Sequence, residues 1–191
     1  MKLILASGST YRSELLSRLR IPFETMSPDI DESPRPGELP AALAIRLARS
    51  KAQVIATTIP QAVVIGSDQV ATLDGRTPIG KPGTIENARD QLTQASARTM
   101  HFYTAFAVLA PGHAPIEHCV PIAVTFRQLT DAQIERYLAL EHPIDCAGAA
   151  KCEGLGIALL DKIETDDPTA LIGLPLMRLA RVLEELGMPA I

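Results

Sequence analysis

Residues 63–70 read Val-Val-Ile-Gly-Ser-Asp-Gln-Val, and no other stretch limits so sharply what the chain can become. The β-branched run Val63, Val64, Ile65 predicts a buried strand, yet that strand delivers a carboxylate, Asp68, beside an amide, Gln69. A loop tolerates a stray charge, whereas an acid at the end of a buried strand needs a partner or a purpose. The Asp74-Gly75 pair predicts a short turn that returns the chain to Gly80-Lys81-Pro82, where Pro82 biases Lys81 toward extended conformations. The expectation is an acid and a lysine, Asp68 and Lys81, side by side on a rigid hairpin, as metal and phosphate chemistry requires. The structural alternative is an ion pair that only satisfies a buried charge.

Around this strand the elements alternate. Apolar residues at Lys2–Ala6 predict a strand entering the Ser7-Gly8-Ser9 turn, followed by a helix over 10–20 with Leu15, Leu16 and Leu19 on its apolar face. A strand near 23–27 leads to a Pro- and acid-rich loop over 28–37, and Pro40 opens a long helix over 40–56. After the 63–71 strand, Thr84 is a plausible N-cap for the next helix. Two long strands, Thr99–Leu109 and Ile116–Phe126, flank Pro111-Gly112 as a hairpin. Thr130 with Gln133 matches a capping box and starts a helix to about residue 140. Residues 154–160 read as a strand, and a last helix spans 175–187 between Pro175 and Gly187. Without repeats or a linker, residues 1–191 are expected to form a single mixed α/β domain with enough chain to bury a core.

Charge and cysteine usage narrow the function. A formal net charge of -4 argues against broad electrostatic binding to nucleic acid but leaves room for a small anion in a local pocket. Cys119, Cys146 and Cys152 contain no C-x-x-C pair, which fits reduced cytoplasmic thiols better than a disulfide framework or a zinc site. Residues 3–6 are too short for a signal h-region and no 18-residue apolar run is present, so a soluble cytoplasmic protein without a membrane partner is expected.

Three further places carry candidate chemistry, each with a plainer alternative. The turn Ala6-Ser7-Gly8-Ser9-Thr10-Tyr11-Arg12 opens a helix whose free N–H groups bind anions. Arg12 in that first turn opposes the macrodipole unless an anion compensates it; the alternative is a simple serine cap with Arg12 in solvent. The cluster Asp29-Ile30-Asp31-Glu32 offers oxygen ligands for Mg²⁺ or Mn²⁺, or is only a solvated acidic loop. Lys51 shares its helix with Arg46 and Arg49, a solvated face unless the geometry turns one of them to phosphate. His101 and Tyr103 read as packing residues rather than ligands.

Taken in order, these pieces resemble the Maf nucleotide pyrophosphatases along nearly the whole chain. The matching segments are Ala6-Ser-x-Ser-x-x-Arg12, Asp29-Ile-Asp-Glu32, Leu47-Ala-x-x-Lys51-Ala, Gly66-Ser-Asp68-Gln and Gly80-Lys-Pro82. Phe126-Arg127-x-Leu129, Asp145-Cys-Ala-Gly148 and Gly173-Leu-Pro175 follow them. The resemblance implies an α/β fold like that of the inosine triphosphate pyrophosphatases, with a mixed twisted sheet, two lobes around a central cleft and, in many members, a homodimer. It also implies hydrolysis of a nucleoside triphosphate between the α and β phosphates with a divalent metal cation, Mg²⁺, Mn²⁺ or Co²⁺. Asp68 would be the proton acceptor for the attacking water, Glu32 and Asp68 would hold the metal, and Ser7, Arg12, Lys51 and Lys81 would surround the triphosphate.

Departures from the pattern refine the substrate. The pyrimidine-directed branch has Ser-Pro-Arg-Arg where this chain has Ser9-Thr10-Tyr11-Arg12, Thr where it has Gln69, and Gln where it has Glu153. Tyr11, Gln69 and Glu153 look like the branch that hydrolyses N7-methyl-GTP. An aromatic face attracts the delocalised cation of N7-methylguanine by about 0.5–2 kcal/mol. A carboxylate accepts from both the N1–H and the 2-amino group of a guanine edge. The rivals are a dTTP/UTP pyrophosphatase of the same family and a non-catalytic nucleotide-binding regulator of cell division. As residues on their own, Tyr11 would be a packing residue and Glu153 a surface carboxylate beside Lys151.

Overall fold

The computed structural model describes residues 1–191. Its strands are β1 (Lys2–Ala6), β2 (Glu24–Thr25), β3 (Ala62–Thr72), β4 (Thr99–Leu109), β5 (Ile116–Phe126) and β6 (Leu160–Glu164). Its helices are α1 (Thr10–Ser17), α2 (Pro40–Thr58), α3 (Ile85–Ala95), α4 (Asp131–Glu141) and α5 (Leu176–Glu185). The strands form one six-stranded sheet in the order β2-β1-β3-β4-β5-β6. Pairing is parallel among β2, β1 and β3 and antiparallel from β3 onward, so the sheet is mixed and the fold is α/β.

Strand β3 is buried almost end to end because both of its faces are covered. Ala62, Val64 and Val70 pack under α2 with Ala44, Leu47, Ala48, Ala52 and Ile55. Val63 and Ile65 point the other way, into a cluster with Leu15 and Leu16 of α1 and Leu179, Val182 and Leu183 of α5. A third cluster, built from α3, α4 and the far ends of β4 and β5, includes Leu92, Met100, Ile122, Phe126 and Ile134.

The approach of α2 to β3 is set by one residue. A Cβ on Gly66 would lie 2.1 Å from the Ala48 carbonyl oxygen and 2.7 Å from the Ala52 nitrogen. Only a residue without a side chain lets the helix backbone settle on the strand at this point.

Several boundaries differ from the sequence expectation for local reasons. Helix α1 ends at Ser17 rather than 20, and Arg20 takes φ +56° to turn the chain. The strand expected over 23–27 pairs only at Glu24–Thr25. The strand expected over 154–160 is corrected: Leu155–Leu159 form a 3₁₀ turn, and β6 begins at Leu160. There the Lys151 carbonyl accepts from both Gly154 and Gly156, and the Glu141 carboxylate accepts the Leu155 N–H at 3.0 Å, which ties the backbone locally instead of to a ladder. Pro175 stands just before α5 rather than inside it, and Thr169 and Asp167 accept the N–H groups of Leu176 and Met177. The Thr130–Gln133 capping box and the Thr84 cap form as expected. No helix is long and apolar enough to cross a membrane.

Candidate active site

Topology opens a cleft at the end of β1. That strand stops at Ala6, opposite Gly66, so β3 runs on from Ser67 with only β4 along most of its length and one isolated bridge, Ala71 to Ile79, on its free side. Crevices beyond the carboxyl ends of strands are where open α/β sheets bind ligands. Two adjoining hollows of about 430 Å³ and about 530 Å³ lie here. They share Ser9, Tyr11, Arg12, Glu32, Lys51, Lys81 and Asp145 in their walls.

At the centre of the cleft is Lys51. Its Nζ lies 2.6 Å from Asp68 Oδ1 and 2.7 Å from Glu32 Oε1, so one ammonium holds two carboxylates. Lys51 and Asp68 are both buried, at 7% exposure each. Helical spacing explains the placement, because residues 44, 48, 51, 52 and 55 form one stripe of α2 that faces β3. The solvated face of three cations expected from the sequence therefore separates. Arg46 pairs with Glu38 at 2.6 Å and holds its carboxyl down at about 2, Arg49 pairs with Glu117, and Lys51 alone turns inward. The expected Asp68–Lys81 neighbours are corrected in the same way: the lysine paired with Asp68 is Lys51. Lys81 lines the same cleft, where its charge helps to lower the Glu32 pKa.

Glu32 is the member of the acidic cluster that lines the cleft. Asp31 turns back to accept the Ser33 N–H at 2.9 Å. Burial raises the Glu32 pKa, but the hydrogen bond and charge of Lys51, with Lys81 and Arg12, outweigh it and leave the carboxyl below its ordinary value.

Arg12 is not the solvated cation of the plainer alternative. Its Nε donates to the Gly173 carbonyl at 2.9 Å, which leaves the other guanidinium N–H groups for the cleft. Burial lowers its pKa, and the nearby Asp68 and Glu32 charges oppose that shift. Gly173 takes φ +125°, a left-handed conformation that favours glycine, directly against Arg12. Ser7 is buried with its Oγ accepting the Ser9 N–H at 3.1 Å, and Ser9 Oγ caps α1 through the Arg12 N–H.

The three residues that set this chain apart fall in different surroundings. Tyr11 donates its hydroxyl to Asp145 Oδ2 at 3.3 Å, and Lys151 Nζ lies 3.2 Å from Asp145 Oδ1. Burial raises the Tyr11 pKa, Lys151 opposes it, and Asp145 and Glu153 add to it. Glu153 is thus within electrostatic reach of Tyr11, although it stays exposed beside Cys152 and outside the cleft walls. Gln69 points to the opposite face of β3 from Asp68 and still lines the cleft.

Asp145, Lys151, Thr104 and Gly173 carry parts of this arrangement that the sequence reading gave no role. The available signal was weak: Asp145 and Gly173 sit inside the quoted motifs, while Thr104, which accepts from Gln69 Nε2 at 2.9 Å, lies in a strand that also carries Thr99, His101 and Tyr103. Cys146 also lines the cleft, but burial, with the Asp145 charge, pushes its thiol up to about 12, so it stays protonated and is a poor nucleophile.

Two carboxylates meet at Lys51 on the cleft wall, Glu32 through Oε1 and Asp68 through Oδ1. Hard oxygen donors in that number suit Mg²⁺ or Mn²⁺ bound through one or two carboxylates, with water and substrate phosphate completing the shell. No group of three or more His, Cys, Asp or Glu side chains is placed to hold a metal by itself.

The model of the family described as "Maf-like protein" matches residues 2–186. A protein named 7-methyl-GTP pyrophosphatase from Bordetella pertussis is 57% identical over 98% of this chain and 93% of its own. A protein of the same name from Albidiferax ferrireducens is 55% identical over 97% of this chain and 94% of its own. Among solved structures, the Staphylococcus aureus Ham1 protein aligns with a TM-score of 0.49 at 14% identity, over 66% of this chain and 72% of that one. With the family model matched almost end to end and relatives above half identity along nearly their full lengths, the chain belongs to the Maf-like protein family.

Proposed function

We propose that this chain is a nucleoside triphosphate pyrophosphatase that hydrolyses N7-methyl-GTP to N7-methyl-GMP and diphosphate. The observation that carries the proposal is the buried Lys51 bridging Asp68 and Glu32 in a cleft also walled by Arg12 and Lys81. The names of the relatives, 7-methyl-GTP pyrophosphatase, support the same substrate. Residues 1–191 act as one domain in this proposal.

Hydrolysis of a phosphoanhydride asks for positioning and charge neutralisation more than for covalent chemistry. Arg12, Lys81 and Lys51 surround the triphosphate and offset its charge, and Ser7 and Ser9 add short polar contacts at the entry of α1. Asp68 accepts the proton of the attacking water. A carboxylate is a weak base toward water, so the water must be acidified or its proton must leave late. A divalent cation held by Glu32 and Asp68 would supply that acidification and neutralise charge on the phosphates. Lys51 holds both carboxylates in place before substrate arrives.

Selection of the base falls to Tyr11, Gln69 and Glu153. The Tyr11 ring offers a face to the methylated purine cation, and Glu153, within electrostatic reach of it, accepts from the guanine donors. Rates on N7-methyl-GTP, GTP, UTP and dTTP, followed by pyrophosphate release, test this directly. The kcat/KM for N7-methyl-GTP should exceed that for UTP by about tenfold or more, a difference of roughly 1.4 kcal/mol. Glu153→Gln should remove most of that preference while sparing UTP. Equal rates on the methylated purine and UTP would refute the substrate assignment, and equal losses across the panel would refute the role of Glu153.

A further inference from the structure

Gln69 and Thr104 face one another directly across β3 and β4. Gln69 Nε2 lies 2.9 Å from Thr104 Oγ1, 3.1 Å from the Ala170 carbonyl oxygen and 2.9 Å from that of Leu171. The two carbonyls can only accept. Thr104 is fully buried, and it donates its single hydroxyl hydrogen to the Ala170 carbonyl at 2.8 Å. Its oxygen is therefore an acceptor toward Gln69 as well. Three acceptors gathered around one nitrogen allow only one orientation of the amide. The amino group points inward, and Oε1 is the amide atom left for the cleft.

The charges of the cleft indicate what that oxygen meets. Ser7, Arg12, Lys51 and Lys81 line the more polar of the two hollows, which Gln69 does not reach, while the hollow that Gln69 lines also has Val70, Ile79, Ala147 and Ile172 in its walls. A carbonyl oxygen repels phosphate and attracts a donor. We propose that Thr104 is a positioning residue that fixes Gln69 as an acceptor-only reader of the nucleoside, with Oε1 taking a hydrogen bond from the guanine 2-amino group or from the ribose 2′-hydroxyl. The proposal rests on the nucleotide pyrophosphatase reading above and goes beyond it in assigning a role to Thr104 and a polarity to Gln69.

Thr104→Val keeps the shape of the side chain but replaces the accepting oxygen with a methyl group and removes one of the two donors to the Ala170 carbonyl. Steady-state rates on N7-methyl-GTP, N7-methyl-ITP (no 2-amino group) and N7-methyl-2′-deoxy-GTP separate the two donor sources. In the wild type, removing the donor that Gln69 reads should raise KM by about tenfold, the scale of one unpaired buried polar group. In Thr104→Val, KM for N7-methyl-GTP should rise by a similar factor with kcat within about threefold, and the penalty for that same missing donor should vanish. Thr104→Ser should restore both. Gln69→Met, which leaves the Thr104–Ala170 bond in place, should reproduce the Thr104→Val pattern and covers the case in which the valine variant does not fold.

The 2-amino group is the donor if the inosine analogue carries the penalty, and the ribose hydroxyl if the deoxy analogue does. A wild type that treats all three substrates alike, or a Thr104→Val enzyme with unchanged KM and unchanged analogue penalties, would overturn the inference while leaving the proposed function standing. A wild type that releases pyrophosphate from no nucleotide would overturn both.

Discussion

Replacing Asp68 with Asn should reduce pyrophosphate release by about a thousandfold or more on every nucleotide, the range expected when a general base and a metal ligand are lost together. The loss should fall on kcat, because Arg12, Lys81 and Lys51 still bind the triphosphate. The fold should survive: Asn keeps an oxygen for Lys51, and Glu32 remains 2.7 Å from the same ammonium. Removing one partner of a buried ion pair outright costs about 3–5 kcal/mol, and Asn limits that cost by retaining a hydrogen bond. Turnover numbers and melting temperatures measured side by side check the point. Activity within tenfold of wild type would remove Asp68 from the chemistry and leave it a structural partner of Lys51.

Gly66→Ala should be the most destabilising conservative change in the chain. The added methyl would meet the backbone of α2 at 2.1 Å and 2.7 Å, and a helix backbone cannot rotate aside as a flexible side chain can. Overpacking typically costs about 1–3 kcal/mol, and a clash with backbone belongs at or above the top of that range. For a chain of this size about 3 kcal/mol corresponds to a fall in melting temperature of roughly 6–12 °C. Activity should fall further than stability alone explains, because a displaced α2 carries Lys51 away from Asp68. Thermal unfolding with rates on the folded fraction separates the two effects. An alanine variant that melts with the wild type and keeps its rate would show that helix and strand are not held at this contact.

Much of the fold was legible because periodicity reports burial. The strands at Lys2–Ala6, Thr99–Leu109 and Ile116–Phe126 stand where the apolar pattern puts them, and the Thr130–Gln133 box caps its helix. Residues 154–160 carry an apolar run that also suits a strand, but two glycines and the Lys151 carbonyl close it into a 3₁₀ turn. The site was legible as a set of residue types but not as a set of pairs. Lys81 is nearer to Asp68 in the apparent hairpin, whereas Lys51 meets it only because Gly66 lets α2 lie on β3, a contact that no local pattern encodes. Thr104 was invisible for a related reason: a threonine in a strand is ordinary until the turn at 170–171 folds over it.

The most direct test is product analysis of the purified protein with N7-methyl-GTP and Mg²⁺ or Mn²⁺. N7-methyl-GMP and pyrophosphate should appear in equal amounts, with neither N7-methyl-GDP nor orthophosphate as an initial product. Release of N7-methyl-GDP with orthophosphate would place cleavage at the wrong bond, and binding of the nucleotide without any product would mean that the cleft holds it but does not cut it.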